Sequence, residues 1–285
     1  MAGLFVTDLD GTLLDPERRI PARNLEVMAR AIEAGVVVAI VTGRRLSSLR
    51  REYAKLDGLS YRAAASNGAV ILRPDNLWPE AIHRVAWEHM EEVALRPELV
   101  GASRLCIVAP PERAEADDGQ PDCIVVEAGT GRWLCSWTPY ERETLVPVLR
   151  ASVMARHLVH VAFEFDTIGL ALQAAEGLRA HLPAALSMHI VSRPYASGAL
   201  LELVPRGGKG LALRYLAKTL GIAAERTGAV GDELNDWDLL EAARHRYVVG
   251  GSPLELARPD ATPVASASEA AVAEALERFL RELVD

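Results

Sequence analysis

At 285 residues the chain can bury a substantial core, yet its 50% hydrophobic content includes no uncharged apolar run near the ~18 residues that a membrane-spanning helix needs. No basic, apolar and small-residue export signal opens it, so a cytoplasmic protein without membrane contact is expected. A formal net charge of -8 with no Lys/Arg-rich block argues against nucleic acid as a ligand.

The first third alternates apolar runs with helix-length amphipathic stretches, the pattern of a parallel sheet flanked by helices. Residues 4–9 read as a strand. Across 21–33, Leu25, Met28, Ala29 and Ile32 recur at helical spacing, and Gly35 follows as a C-terminal cap. Residues 36–41 are almost wholly apolar, as in a strand covered on both faces. A helix near 45–55 and a strand at 61–65 continue the rhythm.

From about 84 to 194 the pattern becomes α+β. A helix is followed by a strand at 104–109, a Pro/Glu/Asp/Gly loop at 110–122, and two strands at 123–127 and 132–137 around a turn composition that suits a hairpin. A helix near 140–150, a strand near 158–165, a helix near 170–181 and a strand near 188–192 complete this stretch. Cys106, Cys123 and Cys135 all fall within it, without the paired spacing of a zinc site or a disulfide framework, and read as reduced thiols.

After Gly198 the parallel rhythm resumes with a strand at 200–204, a helix at 209–220, a strand at 227–230 and a helix at 234–243. The expected fold is α/β: a Rossmann-like parallel-sheet core with helices on both faces, built from residues 1–83 plus 195–285. It is interrupted by an inserted α+β domain at 84–194.

Polar clusters stand at the ends of the expected core strands, where open parallel sheets bind ligands. Asp8-Leu9-Asp10-Gly11-Thr12 ends the first, Thr42-Gly43-Arg44 the second and Asn67-Gly68 the third, while Gly231 to Asp236 follows the strand at 227–230. Each alone reads as a turn or a helix cap. Together they bring Asp8, Asp10, Asp232 and Asp236 to one edge, where carboxylates repel unless a cation intervenes. Mg2+, a hard cation with oxygen ligands, suits such a set better than zinc. Lys209 begins a helix on the same edge, where an ammonium could neutralise phosphate. Spacing excludes an EF-hand, a P-loop and a dinucleotide fingerprint.

In order, Asp8 to Thr12, Val41-Thr42-Gly43-Arg44, Lys209, and Gly231-Asp232 through Asn235-Asp236 resemble the four motifs of the haloacid dehalogenase (HAD) superfamily. The insert, with Asn67-Gly68 and Leu201-Glu202-Leu203-Val204-Pro205, is similar to the Cof-type subgroup, whose large α/β cap sets substrate specificity. The resemblance implies a Mg2+-dependent phosphatase acting on a small phosphorylated metabolite, a sugar phosphate or phosphoglycerate-type ester, through an aspartyl-phosphate. By residue, it implies Asp8 as nucleophile and Asp10 as general acid and base. Thr42, Gly43 and Lys209 bind the phosphoryl oxygens, and Arg44, Asn67 and Gly68 lie on the substrate side. The cation would be held by Asp8, Asp232 and the backbone carbonyl of Asp10, with Asn235 and Asp236 positioning Lys209 or metal-bound waters.

A phosphomannomutase-like mutase and a non-catalytic binder of phosphorylated metabolites remain alternatives. Gly250-Gly251-Ser252 departs from the Gly-Asn-Ala found in many relatives. In the insert, His157, His160, Arg193 and Glu202 are polar residues able to face a substrate or to serve structure.

Overall fold

The computed structural model describes residues 3–52, 56, 59–94, 96–99, 101–102, 104–108, 123–127, 133–136, 146–147, 157–192 and 198–284. In chain order, β1 (Gly3–Thr7), α1 (Ala22–Glu33), β2 (Val36–Val41), α2 (Leu46–Glu52), β3 (Arg62–Ala65) and β4 (Val70–Leu72) come first. They are followed by β5 (Pro79–Ile82), α3 (Trp87–Ala94), β6 (Arg104–Val108), β7 (Cys123–Glu127), β8 (Trp133–Ser136) and β9 (Val146–Pro147). Next are β10 (His160–Phe165), α4 (Ile168–Arg179), β11 (Leu186–Ser192), β12 (Ala199–Pro205), α5 (Gly210–Leu220) and β13 (Thr227–Gly231). The chain ends with α6 (Trp237–Ala242), β14 (His245–Val249), α7 (Pro253–Ala257), β15 (Thr262–Val264) and α8 (Ala271–Glu282).

Two compact units result, one of residues 1–43, 50–77 and 207–285, the other of 44–49 and 78–206. In the first, the strands pair in the order β15-β14-β13-β1-β2-β3-β4, parallel except for the β3–β4 pair. The apolar runs of β1 and β2 are explained by this position: both are interior strands, and β1 is buried throughout. Helix α1 packs against α8 and α5 against α6, and both α5 and α8 reach β1. Buried Asn24 of α1 ties the first pair, since its Oδ1 accepts the Ala273 N–H at 2.8 Å. Under α8, Phe279 fills the space left by Gly3 and Gly228 and lies 5.4 Å from the Phe5 ring.

The register aligns the carboxyl ends. Thr7 of β1 stands beside Ile40 of β2 and Val230 of β13, and the Asp8 N–H continues the ladder to the Val230 carbonyl at 3.1 Å. Thr42 and Asn67 extend it across β2 and β3, the Thr42 N–H donating to Ala64 O at 3.0 Å and the Asn67 N–H to Thr42 O at 2.9 Å.

The second unit holds an antiparallel sheet in the order β11-β12-β10-β6-β7-β8-β9. Alternation along β10 and β12 turns Val161, Phe163, Phe165, Leu201 and Leu203 into a core shared with Ala171, Ala174 and Leu178 of α4. Helix α4 is capped by Thr167, whose hydroxyl accepts the Leu170 N–H at 3.3 Å. On alternate positions, His160 and Glu202 are buried with Nε2 and Oε1 3.3 Å apart.

Two expectations are corrected here. Residues 200–204 do not resume the parallel core, because β12 lies antiparallel between β10 and β11 in the second sheet. Its apolar run reflects central burial, which both kinds of sheet impose. Within 140–150, Val146–Pro147 pairs with β8 as a strand in place of the expected helix, consistent with a β-branched residue followed by a proline, which is excluded from a helix interior. The rest of that stretch, the loop at 110–122 and the hairpin turn at 128–132 lie outside the described residues. Among the described residues no helix is long and apolar enough to cross a membrane.

Candidate active site

Where β1 ends, the chain turns sharply so that Asp8 points inward and Asp10 outward: Asp8 is 4% exposed, whereas Asp10 is open to solvent. The turn needs Gly11. Its φ is +78°, a region that favours glycine, and a Cβ placed there would collide with Asp232 Oδ2. The next residue holds that same carboxylate, the Thr12 hydroxyl donating to Asp232 Oδ1 at 2.6 Å.

Asp232 and Asp236 lie on the short segment after β13. Asp236 is fully buried, and its Oδ2 accepts the backbone N–H groups of Asp232 and Glu233 at 3.1 and 3.2 Å. Gly231 permits this closeness, since a Cβ there would come within 2.6 Å of the Asp236 side chain. From the other side, the Asp232 carbonyl accepts the Leu254 N–H of α7 at 3.1 Å, and Ser252 caps that helix through its hydroxyl. The Gly250-Gly251-Ser252 loop thus ends in a cap that supports the backbone of Asp232.

Lys209, just before α5 and 2% exposed, fills the centre. Its ammonium donates to Asp8 Oδ1 at 2.7 Å and to Asp236 Oδ1 at 2.6 Å. Burial alone would discharge it, but Asp236 and Asp8 hold its proton more strongly than a solvated lysine's. The acids are pushed the other way. Asp8 is raised well above the usual carboxylate range by burial, against the pull of Lys209 and with help from Asp236, Asp232 and Asp10. Burial and then Asp236 push Asp232 up to about 7, with the Thr12 hydroxyl opposing.

Among the described residues, Asp8, Asp232 and Asp236 form the acidic group able to hold an ion, with one oxygen from each lying within 4.8 Å of the others. The Asp10 carboxylate does not belong to it. Three carboxylates against one ammonium leave negative charge in excess, and both oxygens of Asp236 are already engaged. The donors with capacity left are therefore Asp8 and Asp232, hard oxygens without a nitrogen or sulfur ligand between them, which fit Mg2+.

The other anticipated residues divide. Thr42 and Gly43 follow β2, Asn67 and Gly68 lie in the turn that ends β3, and Asn235 Nδ2 reaches Asn67 Oδ1 at 3.5 Å. Arg44 falls in the second unit, as do His157, His160 and Glu202, while Arg193 lies outside the described residues. Sequence reasoning gave Thr12 no task, although a hydroxyl directly after a loop glycine was a usable signal. Gly11 and Gly231 stand within the motifs as turn residues, but their closeness to the Asp232 and Asp236 side chains is visible only once those carboxylates are in place.

A family model described as haloacid dehalogenase-like hydrolase matches residues 5–92 and 165–276. The chain is 28% identical over 293 residues to the 5-amino-6-(5-phospho-D-ribitylamino)uracil phosphatase YwtE of Bacillus subtilis, covering 96% of each. It is 27% identical over 285 residues to the HMP-PP phosphatase of Serratia proteamaculans, covering 99% of this chain and 96% of that one. Among solved structures it resembles a phosphatase of the haloalkanoate (HAD) enzyme superfamily from Bacteroides thetaiotaomicron. The TM-score is 0.71 at 19% identity, with 98% of this chain and 95% of that one covered, a likeness of fold.

Proposed function

The chain belongs to the haloacid dehalogenase-like hydrolase family, and from that premise we propose that it is a Mg2+-dependent phosphatase of a small phosphorylated metabolite, with Asp8 as nucleophile. The observation that carries this reading is the bridge at Lys209: one buried ammonium bonded to both Asp8 and Asp236, with Asp232 fixed beside them.

In the proposed mechanism an Asp8 carboxylate oxygen attacks phosphorus and forms an acyl-phosphate bond while the bond from phosphorus to the leaving oxygen breaks. Asp10, exposed at the mouth of the loop, gives its proton to that oxygen. It then takes a proton from water, whose oxygen attacks phosphorus, releasing inorganic phosphate and restoring the Asp8 carboxylate. Lys209 holds Asp8 in place and offers positive charge to the phosphoryl oxygens, with Thr42 and the Gly43 backbone as further partners. Asp236 fixes Lys209. Bound at Asp8, Asp232 and the Asp10 carbonyl, Mg2+ would neutralise phosphoryl charge as a Lewis acid.

The named relatives, phosphatases of a ribitylamino-uracil phosphate and of HMP-PP, support a small phosphorylated metabolite as substrate, within which we favour a sugar phosphate or phosphoglycerate-type ester. We assign the choice of leaving group to the second unit, read as the cap. The test is a phosphate-release screen over sugar phosphates, phosphoglycerates, phosphorylated pyrimidines and nucleotides, with and without Mg2+. Turnover should require the metal and be abolished in Asp8→Asn, and near-normal activity in that variant would overturn the assignment. Conversion of a sugar monophosphate to its isomer without release of phosphate would indicate a mutase instead.

A further inference from the structure

Three consecutive residues at the end of β3, Ser66, Asn67 and Gly68, have φ of 52°, 53° and 82°. Left-handed backbone is strained for serine and is tolerated by asparagine at some cost, so a run of it persists only where its surroundings hold it. Ser66 and Asn67 are 0% and 1% exposed, which leaves almost no surface for a substrate to touch.

What the turn does touch is the catalytic loops. The Asn67 N–H donates to Thr42 O at 2.9 Å, and a Cβ on Gly43 would lie 3.1 Å from Asn67 Oδ1. That same oxygen accepts from Asn235 Nδ2 at 3.5 Å. Gly68 lies against the backbone that delivers the lysine: an added Cβ would meet Gly208 O at 2.9 Å and Lys209 Cα at 3.1 Å. Loops from the end of β2, the start of α5 and the end of β13 therefore converge on one turn.

Resting on the phosphatase reading above, we propose that Ser66-Asn67-Gly68 is a positioning turn rather than part of the substrate-binding surface. It sets the spacing between Thr42-Gly43, Lys209 and the Asn235-Asp236 segment, and so acts on phosphoryl transfer through those groups. This revises the substrate-side role expected of Asn67 and Gly68.

The test uses Asn67→Gly, which keeps the backbone region accessible and removes the amide, beside Gly68→Ala, Asn235→Ala and the Asn67→Gly/Asn235→Ala double variant. For Asn67→Gly we expect kcat to fall by about 10- to 100-fold, as for a sub-ångström to 1 Å misplacement of binding groups. KM should shift less than about threefold, and the factor should be the same for phosphoesters with different leaving groups. The double variant should be no worse than its poorer parent, since the two residues act as one unit. A loss carried by KM, a loss that differs among leaving groups, additive losses or unchanged kcat would each overturn the proposal. Where Gly68→Ala does not fold, Asn67→Gly decides.

Calorimetry with inorganic phosphate separates this claim from the phosphatase reading. A wild-type protein that binds phosphate but hydrolyses nothing refutes that reading, and the turn is then judged by affinity alone. A loss of about tenfold in Asn67→Gly supports it, and an unchanged affinity overturns it.

Discussion

Replacing Asp236 by Asn changes one charge at almost constant volume. In the protein Oδ1 faces the Lys209 ammonium and Oδ2 faces two backbone N–H groups, so all the polar neighbours named are donors. An amide has one accepting oxygen and a group that only donates. If the oxygen faces Lys209, the NH2 opposes two N–H groups; if flipped, it opposes the ammonium. No solvent can relieve either arrangement, because the residue is fully buried. The lost charge-assisted bond is worth about 1.5–3 kcal/mol and a stranded buried donor about 1–3 kcal/mol more. Relief of repulsion with Asp8 and Asp232 offsets part of this. A net cost of about 3 kcal/mol remains, the lower end of what removal of one buried ion-pair partner costs. For a chain of this size that is a Tm lowered by on the order of 10 °C, and Lys209, held then by Asp8 alone, should lose about 100-fold in kcat. Thermal unfolding by circular dichroism and steady-state phosphate release read the two effects. A Tm within about 2 °C of wild type, or a kcat within about threefold, would refute the anchoring role.

Gly11→Ala should cost about 1–2 kcal/mol in backbone strain and, by driving Asp232 aside, should weaken the apparent Mg2+ affinity by about tenfold or more. A metal titration of phosphate release checks this, and an unshifted curve contradicts it. Chelation with EDTA should abolish turnover and added Mg2+ should restore it; activity that persists in chelator speaks against the cation. Phe279→Ala empties a fully buried site between β1, β13 and β14 and should cost about 3–5 kcal/mol in denaturant unfolding. Arg258 and Arg246 hold the Asp260 carboxyl well below the usual carboxylate range. Its folded value therefore lies under its unfolded one, and the stabilisation is present above about pH 4 and disappears as pH falls through the folded value. Unfolding of wild type and Asp260→Asn followed across pH should show a constant gap near neutrality that closes in acid, and a gap undiminished at the lowest pH would count against the clamp.

The parallel core was legible because its strands carry unbroken apolar runs and its polar residues cluster where those runs stop. Asp8, Thr42, Asn67 and Asp232 could all be placed at strand ends from that pattern alone. What could not be read is which sheet an apolar run joins. Residues 200–204 look like a parallel core strand, yet β12 pairs antiparallel with β10 and β11, since burial on both faces leaves the same composition in either setting. Short strands such as β4 and β15 are too brief to show periodicity. At the site, residue types were visible but pairings were not: nothing local to Thr12 names Asp232 as its partner, and nothing local to Gly68 points to the backbone of Lys209.

The pairing of β1 with both β2 and β13 has a consequence for how the protein is made. β2 leaves the ribosome soon after β1, but β13 follows only after some 190 further residues, among them the whole second sheet. Until then β1 has one neighbour and an open edge, a state prone to mispairing and a natural ligand for chaperones. Asp8 likewise waits for Lys209 and then Asp232, so a nascent chain cannot use its nucleophile until both of those residues have been made.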